Sequence, residues 1–353
     1  MKDFFIKLKK DGIPFLAFIV LVCLYLLILF ADFFALYPSI YSNRKLAYQP
    51  PNNIYILDKN NRLTKPYTYN YTKTFNKDTF SIEYKQDRSK KYFIKFFSTG
   101  YEYKFLGLFK TNIHLLGVDN GCNFHILGTD INGCDVFSRL FFGGQISLTI
   151  GFLALLISFP IGAIYGGISG YLGGKTDKFL MRLAEAIMSI PSFYLLIILA
   201  SILPSNMTSH QRFALITAIL AFIGWAGFSR VIRGMVLSIK NQEYIKAIET
   251  IGANKSRVIL KHILPQTSSY IIIAITLSVP SYILAESGLS FLGLGIQLPD
   301  ASWGNMLREA QEFVNILYRP WLLTPGFLIF IAVLSFNVLG DKIRDILDPK
   351  TLK

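Results

Sequence analysis

Long, mostly apolar stretches place the strongest constraint on how this chain can fold. A helix needs about 20 apolar residues to cross the hydrocarbon core of a bilayer. Because no water bonds the backbone there, only helices and closed barrels can cross it. Suitable stretches occur at residues 13–36, 146–171, 181–203, 213–237, 268–284 and 321–339. The sequence therefore predicts an all-α polytopic membrane protein with six transmembrane helices, the first of which is too long for a signal peptide.

Composition and charge agree with that prediction. The chain has 36 Lys and Arg against 22 Asp and Glu, and 52% of its residues are hydrophobic. Such a composition is unusual for a soluble enzyme. The basic residues are spread over the loops between apolar runs, which is typical of membrane topology rather than of nucleic-acid binding. Membrane lipid is therefore an expected partner, nucleic acid is not, and both termini are predicted to be cytoplasmic.

A stretch of different composition separates the first two spans. Segments 54–57, 79–84 and 92–97 are rich in aromatic and β-branched residues and are separated by turn residues. These segments predict a small, mostly β extracytoplasmic insert. Its lysines could protect strand edges from aggregation or dock an acidic partner. The predicted organisation is an N-terminus with the first span (1–36), the insert (37–142), a five-helix core (143–341) and a cytoplasmic tail (342–353).

The cysteines and histidines do not have the spacing of a metal site. Cys122 and Cys134 lie at the end of the insert, where an oxidising compartment would permit a disulfide between them. Two free thiols are the alternative, since spacing along the chain does not define the geometry of a disulfide.

The loop at residues 238–265 has the pattern of two short helices joined at a glycine. Helical spacing places four apolar side chains on one face: Tyr244, Ala247, Ile248 and Ile251. The opposite face carries Glu243, Lys246, Glu249 and Thr250. Gly252, followed by Ala253, stands where a helix ends in the left-handed conformation. The second helix is expected to end at Pro265. A soluble partner could bind such a motif.

Three blocks of sequence carry a resemblance to a known family. Gly252 and Leu264-Pro265 match the cytoplasmic coupling loop of binding-protein-dependent ABC importer permeases, although Lys246-Ala247-Ile248 replaces the usual E-A-A. Residues 127–148 and 286–304 resemble signatures of the dipeptide, oligopeptide and nickel branch, with Cys134 and Gln145 replacing two arginines. The chain is similar to the second permease subunit of that branch.

The resemblance implies a type I permease fold in the bacterial inner membrane and a transport function. The implied partners are a second permease subunit, two ATP-binding subunits that hold ATP and Mg²⁺, and an extracytoplasmic solute-binding protein. The chain has no Walker motif, so it is expected to be neither an enzyme nor a holder of a cofactor or metal. The expected cargo is a peptide, with nickel or another small solute as the alternative. A membrane-anchored sensor or assembly protein is the rival class.

Further residues are singled out within the spans. Gly162, Gly166 and Gly170 form a bare helical face that suits close helix packing or, second, lining of the substrate path. Pro191 is expected to bend the third span. Glu286 is expected at the outer end of the fifth span, in a hydrogen-bonding role.

Two more expectations concern polar and amphipathic segments near the spans. Asp130, Asp135 and Arg139 are expected to form an interfacial salt-bridge cluster. Residues 305–318 predict one amphipathic surface helix.

Overall fold

The computed structural model describes residues 6–9, 11–58, 61–76, 81–204 and 206–347. Its α-helices are α1 (Gly12–Leu29), α2 (Ala31–Phe34), α3 (Val136–Leu172), α4 (Gly174–Met188), α5 (Ser192–Ser201), α6 (Ser209–Ile239), α7 (Glu243–Thr250), α8 (Lys255–Arg257), α9 (Ser268–Phe291), α10 (Trp303–Met306), α11 (Phe313–Tyr318) and α12 (Thr324–Leu347). Its strands are β1 (Tyr55–Leu57), β2 (Leu63–Asn76), β3 (Ser81–Phe105) and β4 (Phe109–Val118). Short 3-10 helices cover Arg44–Leu46, Leu264–Thr267, Leu307–Gln311 and Pro320–Leu323, and a π-helix covers Val258–Ile263.

The predicted six-span architecture is confirmed. Within the described ranges, five helical segments are long and apolar enough to cross a membrane, and the bent pair α4–α5 makes a sixth. The helix boundaries differ from the predicted spans. The second span begins at Val136, inside the predicted insert, rather than at residue 146. A packed helix can continue beyond the apolar run that identifies it, because only the part in hydrocarbon must be apolar.

The third span is sharply bent where the sequence has Pro191. Helices α4 and α5 meet at an angle of 78°, and Pro191 is the N-terminal capping residue of α5, with ψ of 123°. Proline cannot donate to the helical ladder and its ring obstructs the preceding turn. The predicted bend is therefore confirmed, whereas a gating role for it stays a prediction.

The chain forms two compact units. The helical unit comprises Met1–Leu21, Leu148–Leu289 and Phe330–Lys353, and the sheet unit comprises Val22–Ser147 and Ser290–Ile329. The core of the helical unit brings together fully buried side chains of three helices: Leu148 and Ala154 of α3, Ile216 and Ile232 of α6, and Ile283 of α9. In a bilayer, close packing of this kind holds helices together, because lipid tails are as apolar as the side chains.

The sheet unit contains one four-stranded antiparallel sheet in the order β1-β2-β3-β4. The long strand β3 pairs with β2 along its first half and with β4 along its second half. The predicted β character is confirmed, but β2 was missed. Tyr67, Tyr69 and Tyr71 alternate along it, and this period of two was an available signal. The predicted segment 79–84 lies partly outside the described residues.

Trp303 anchors the helical part of the sheet unit. Its side chain is buried, its indole N–H donates to the Leu140 carbonyl at 2.9 Å, and its backbone N–H donates to Ser147 Oγ at 3.0 Å. The start of α3 is thereby fixed to the segment that follows α9. A buried indole commonly finds such a polar partner.

The expectation of one surface helix over residues 305–318 is wrong. The segment consists of α10, a 3-10 helix and α11, with Glu312 in an extended conformation between the last two. The apolar stripe that suggested one helix is divided by this break. Met306 packs against the small cluster of Ala31, Ala35, Phe142 and Ala301, while Phe313 and Leu317 are exposed.

Cys122 and Cys134 are free thiols, so the disulfide is not formed. Cys134 is buried in a tight turn in which its backbone N–H donates to Asp130 Oδ1 at 2.8 Å. Burial raises the pKa of both thiols to about 11.

Candidate functional site

The candidate site is the exposed helix α7 together with the segments that hold it in the helical unit. Ile245 is its fully buried side chain, and Ile248 is half-buried. The other members of the predicted stripe are exposed: Tyr244 (37%), Ala247 and Ile251 (86%). Sequence reasoning missed Ile245, although Ile245 and Ile248 share a face at a spacing of three. One face of α7 thus contacts this chain, and a second apolar face points away from it.

Charged residues occupy the rest of α7. Glu243 lies in its first turn and is exposed, and there a negative charge is favourable because helix N-termini carry partial positive charge. Glu249 accepts a hydrogen bond from the Tyr171 hydroxyl at 2.6 Å. Tyr244 and Gln266 are hydrogen-bonded through their side chains. These bonds fix α7 to the end of α3 and to the segment that leads into α9.

Gly252 ends α7 as the sequence predicts. Its φ is +87°, which L-residues with a side chain rarely adopt. Its N–H donates to the Glu249 carbonyl at 2.9 Å, and the N–H of Ala253 donates to the Ile248 carbonyl at 3.3 Å. This pair of bonds is the Schellman arrangement of helix C-termini. These backbone bonds therefore set the direction in which the chain leaves α7. The side chain of Ala253, the next residue, is half-buried.

The segment after Gly252 differs from the prediction. Pro265 does not end the second helix, because α8, the π-helix, the 3-10 helix and α9 follow one another without a gap. Lys255–Phe291 can be read as one continuous span. A π-turn just before Pro265 widens the helix, so the missing N–H and the bulky ring are accommodated. The turn at Gly252 consequently connects α7 directly to a transmembrane helix.

A partly buried ion pair beside this region was also missed. Arg233 donates two hydrogen bonds to Asp177, from Nε and from Nη2, each of 2.5 Å. The Ser169 hydroxyl donates to the same carboxylate at 2.5 Å. Bidentate arginine–carboxylate pairs are strong and directional. The pair joins α4 to α6. It could not be predicted from the sequence, because Asp177 lies near the start of one span and Arg233 near the end of another, 56 residues along the chain.

The glycine face of α3 packs against α6. A Cβ on Gly162 would lie 2.8 Å from the Trp225 carbonyl, on Gly166 2.3 Å from that of Ser229, and on Gly170 2.9 Å from that of Arg233. Such distances exclude any side chain. The geometry favours the packing interpretation over lining of a substrate path.

Two cavities in the helical unit flank Tyr282. One, of about 390 Å³, is lined by residues that include Pro191, Leu196 and Gly224. The other, of about 600 Å³, includes Phe159 and Tyr270, and Gly227 lines both. Tyr282 is seated against Gly224, and its hydroxyl lies 3.0 Å from Ser158 Oγ. Among the residues that the structure describes, nothing lies within 4 Å of a Cβ built on Gly227. This surface of α6 is the candidate wall of a path or of a subunit contact.

Glu286 lies near the C-terminal end of the fifth span. It is inside α9, which continues to Phe291, and its side chain is fully buried. Ser287 Oγ donates to its Oε2 at 3.3 Å. The helix continues through Ser287 and Gly288 to Phe291, beyond the predicted end of the fifth span, so Glu286 lies within the last two turns of α9. Its hydrogen-bonding role stays a prediction.

The expected Asp130–Asp135–Arg139 cluster is also wrong. Asp135 accepts from His125 Nδ1 and from the Ser138 hydroxyl, at 2.8 and 2.6 Å. Arg139 is buried, and its guanidinium donates to the backbone carbonyls of Pro299 and Asp300. No carboxylate of the described residues lies within ion-pair distance of it. Asp135 instead caps the start of α3, where it accepts from the Ser138 N–H at 2.8 Å, and this local bond competes with a pair to Arg139 one turn along.

Comparison with known proteins identifies the family. Residues 158–353 match the family described as the binding-protein-dependent transport system inner membrane component. The chain belongs to this family. The matched residues include α7 and all the spans from the second half of α3 onward. The sheet of β1–β4 lies before the matched residues.

Two relatives and one solved structure illustrate the similarity. The dipeptide transport system permease protein DppC of Bacillus subtilis is 45% identical over 228 residues, covering 64% of this chain and 69% of that protein. The oligopeptide transport system permease protein OppC of the same organism is 42% identical over 230 residues, covering 65% and 73%. The crystal structure of an amino acid ABC transporter aligns with a TM-score of 0.43 and 16% identity, covering 59% of this chain and 94% of that chain.

Proposed function

We propose that this chain is a permease subunit of an ATP-driven importer that moves peptides across the cytoplasmic membrane by alternating access. Peptide cargo is supported by the names of the relatives, which are dipeptide and oligopeptide transport permeases. Both termini and α7 face the cytoplasm in this proposal, and the sheet lies outside.

The chain works with partners in this proposal. A second permease subunit of similar fold completes the pathway, and an extracytoplasmic solute-binding protein delivers the peptide. Two cytoplasmic subunits bind ATP and Mg²⁺ and hydrolyse the nucleotide, whereas this chain holds no cofactor and is not an enzyme. The family description, an inner membrane component of a binding-protein-dependent system, supports this division of labour.

The observation that carries the proposal is the exposed apolar face of α7. Tyr244, Ala247 and Ile251 would enter a groove of an ATP-binding subunit, and burial of each large side chain contributes about 1.5–3 kcal/mol. Ile245 stays buried in this chain, so the helix is held while its other face is bound. That binding free energy is large enough to bias a bundle with two states of similar energy.

Movement of α7 passes into the membrane through two connections. The Gly252 turn leads into the continuous segment Lys255–Phe291, and the Glu249–Tyr171 hydrogen bond leads to the end of α3. Because packed helices shift as rigid elements, closure of the ATP-binding subunits would rock α3 and α9 together between outward-open and inward-open states.

The test is Ile251→Asp in the complete transporter. Ile251 is 86% exposed in this chain, so the variant should fold normally. A buried, unpaired carboxylate in the partner's groove is costly. Co-purification of the ATP-binding subunits and uptake of labelled dipeptides and oligopeptides should therefore both fall at least tenfold, about 1.4 kcal/mol or more.

The control is Phe313→Asp, which makes the same kind of change at another exposed apolar residue, far along the chain from α7. It should leave ATPase association unchanged. If Ile251→Asp also retained the ATP-binding subunits and peptide uptake, α7 would not be the coupling element. A third outcome separates the two parts of the proposal. If Ile251→Asp lost the ATP-binding subunits but the wild-type transporter took up no peptide, the coupling role of α7 would stand and the peptide cargo would be rejected.

A further inference from the structure

The loop between β3 and β4 is unusually apolar for a hairpin turn. It reads Phe105-Leu106-Gly107-Leu108-Phe109, whereas turns are usually built from polar residues and glycine. Leu108 is 80% exposed, and Leu106 and Phe109 are also exposed. The rings of Phe105 and Phe109 stack at 5.4 Å, so the tip keeps a defined shape. These five residues are called the hairpin tip.

Contacts place the hairpin tip beside the outer end of the first membrane helix, α1. Phe105 stacks on Phe30, the residue after α1, with ring centroids 5.4 Å apart. Farther from the tip, Tyr101 donates to Asp32 Oδ1 at 3.3 Å, and Phe97 contacts Phe33 at 6.3 Å between centroids. Residues of β3 farther from the tip therefore contact residues farther beyond the end of α1. The hairpin tip is consequently the part of the β-ribbon nearest to the apolar helix.

The hairpin tip continues the lipid-facing surface of α1. Val22, Leu26 and Leu29 are exposed and lie on one face of the helix at spacings of four and three. On a helix that crosses a membrane, such a face contacts lipid. Because Phe30 immediately follows Leu29, the last residue of the apolar helix, we expect the stacked Phe105 near the level where hydrocarbon meets headgroups. Aromatic side chains favour that level.

Charge agrees with this position. Lys104 and Lys110 are directly opposite each other in the strand register and are exposed. They flank the apolar residues on the side away from the turn, where their ammonium groups can reach headgroup phosphates. A basic pair bordering an apolar tip is attracted to anionic lipid.

We propose that the hairpin tip inserts into the outer leaflet of an anionic phospholipid bilayer and anchors the sheet to the membrane surface. The insert would then be held at a fixed height next to α1 by Leu106, Leu108 and Phe109. This inference goes beyond the transport role and rests on the proposed function only in that α1 crosses the membrane with the sheet on the outer side. A solute-binding protein or a second permease subunit covering the tip is the competing occupant.

The experiment uses nitroxide labels on the full chain in nanodiscs containing phosphatidylglycerol. The label is attached at Leu108→Cys after replacement of Cys23, Cys122 and Cys134 by serine. Phe75→Cys, exposed at the far end of the ribbon, is the aqueous control, and Leu26→Cys is the hydrocarbon control. The accessibility ratio of oxygen to a water-soluble nickel chelate should be several-fold higher at residue 108 than at residue 75, and similar to that at residue 26.

Other results would overturn the proposal. An accessibility ratio at residue 108 equal to that at residue 75 would place the tip in water. Protection from both oxygen and chelate, in the chain alone or in the assembled transporter, would mean that protein covers it. A second variant pair, Lys104→Glu with Lys110→Glu, should reduce the ratio at residue 108 in phosphatidylglycerol nanodiscs. An unchanged ratio would reject the anionic-lipid contact.

Discussion

At the residue scale, Asp177 and Arg233 show how much depends on a single pair. The carboxylate accepts from Arg233 twice and from Ser169 once, and Asp177 is buried while the arginine side chain is 31% exposed. Because the pair is only partly shielded from solvent, its contribution should lie between those of surface and buried ion pairs.

Asp177→Asn should lower the unfolding free energy by about 1–3 kcal/mol, since the Arg233 charge would lose its partner. Arg233→Met should have a similar effect. The double variant should cost less than the sum of the two, because each single change leaves one unpaired charge. Denaturant unfolding of the detergent-solubilised chain measures this, and strict additivity would show that the two residues do not interact.

Glu309 makes stability depend on pH. It accepts hydrogen bonds from the Ile131 N–H at 3.1 and 3.3 Å and faces a polar cavity of about 780 Å³. Burial, and then the charge of Asp130, raise the pKa of Glu309 to about 7 from its ordinary 4.5, against opposing effects of Arg139 and Arg319. The folded chain therefore keeps a proton that the unfolded chain loses between these values.

Stability contributed by this proton is complete below about pH 4.5 and is lost as pH rises through about 7. Glu309→Gln keeps a hydrogen-bond acceptor for Ile131 and removes the titration. The variant should consequently be more stable than the wild type at pH 8, and the difference should shrink as the pH falls. Unfolding temperatures measured from pH 4.5 to 8 test this, and a constant difference would contradict the assignment.

At the element scale, two glycines on facing helices have opposite surroundings. Gly166 of α3 is pressed against the backbone of α6, whereas a Cβ built on Gly227 of α6 would meet nothing within 4 Å among the described residues outside its own helical turn. Close packing accounts for the first glycine. Gly227 lies on a surface that borders two cavities, and the absence of a side chain there leaves room for a transported solute or for a neighbouring subunit.

Gly166→Leu should reduce stability by about 1–3 kcal/mol or more, since overpacking forces the helices apart. Gly227→Leu should leave the unfolding temperature of the isolated chain unchanged and abolish peptide uptake by the complete transporter. Thermal unfolding and uptake, measured on both variants, separate the two effects. Full transport by Gly227→Leu would remove that surface of α6 from the path.

At the scale of the whole molecule, the arrangement predicts which side of the membrane each exposed segment faces. Ile251 at the end of α7 and Leu63 at the start of β2 are both strongly exposed. An odd number of spans lies between α7 and the sheet in the six-span reading, namely α3, the pair α4–α5 and α6. Because successive spans alternate in direction, the six-span reading predicts that the two segments face opposite sides.

Single cysteines at these positions, in a chain without its native cysteines, provide the measurement. Leu63→Cys should react with a membrane-impermeant maleimide in right-side-out vesicles, and Ile251→Cys only in inside-out vesicles. Labelling of both from the same side would contradict the six-span topology and, with it, the coupling role of α7.

Much of this protein was readable from the sequence because lipid restricts the options for the backbone. Runs of about 20 apolar residues can only be helices there, so the six spans, the bend at Pro191 and the Gly252 turn were all predictable from local chemistry. In the insert, aromatic and β-branched residues between turn residues indicated strands. These features depend on residues close together in the chain.

Only the tertiary structure decided which distant groups meet. The Asp177–Arg233 pair, the burial of Ile245 and Glu286, and the stacking of Phe105 on Phe30 join residues far apart in sequence, and no local pattern encodes such contacts. Two local expectations also failed. Asp135 caps the start of α3 instead of pairing with Arg139, and a π-helix before Pro265 lets the helix continue through the proline. Local propensity thus determined the elements, whereas long-range packing determined their partners and their ends.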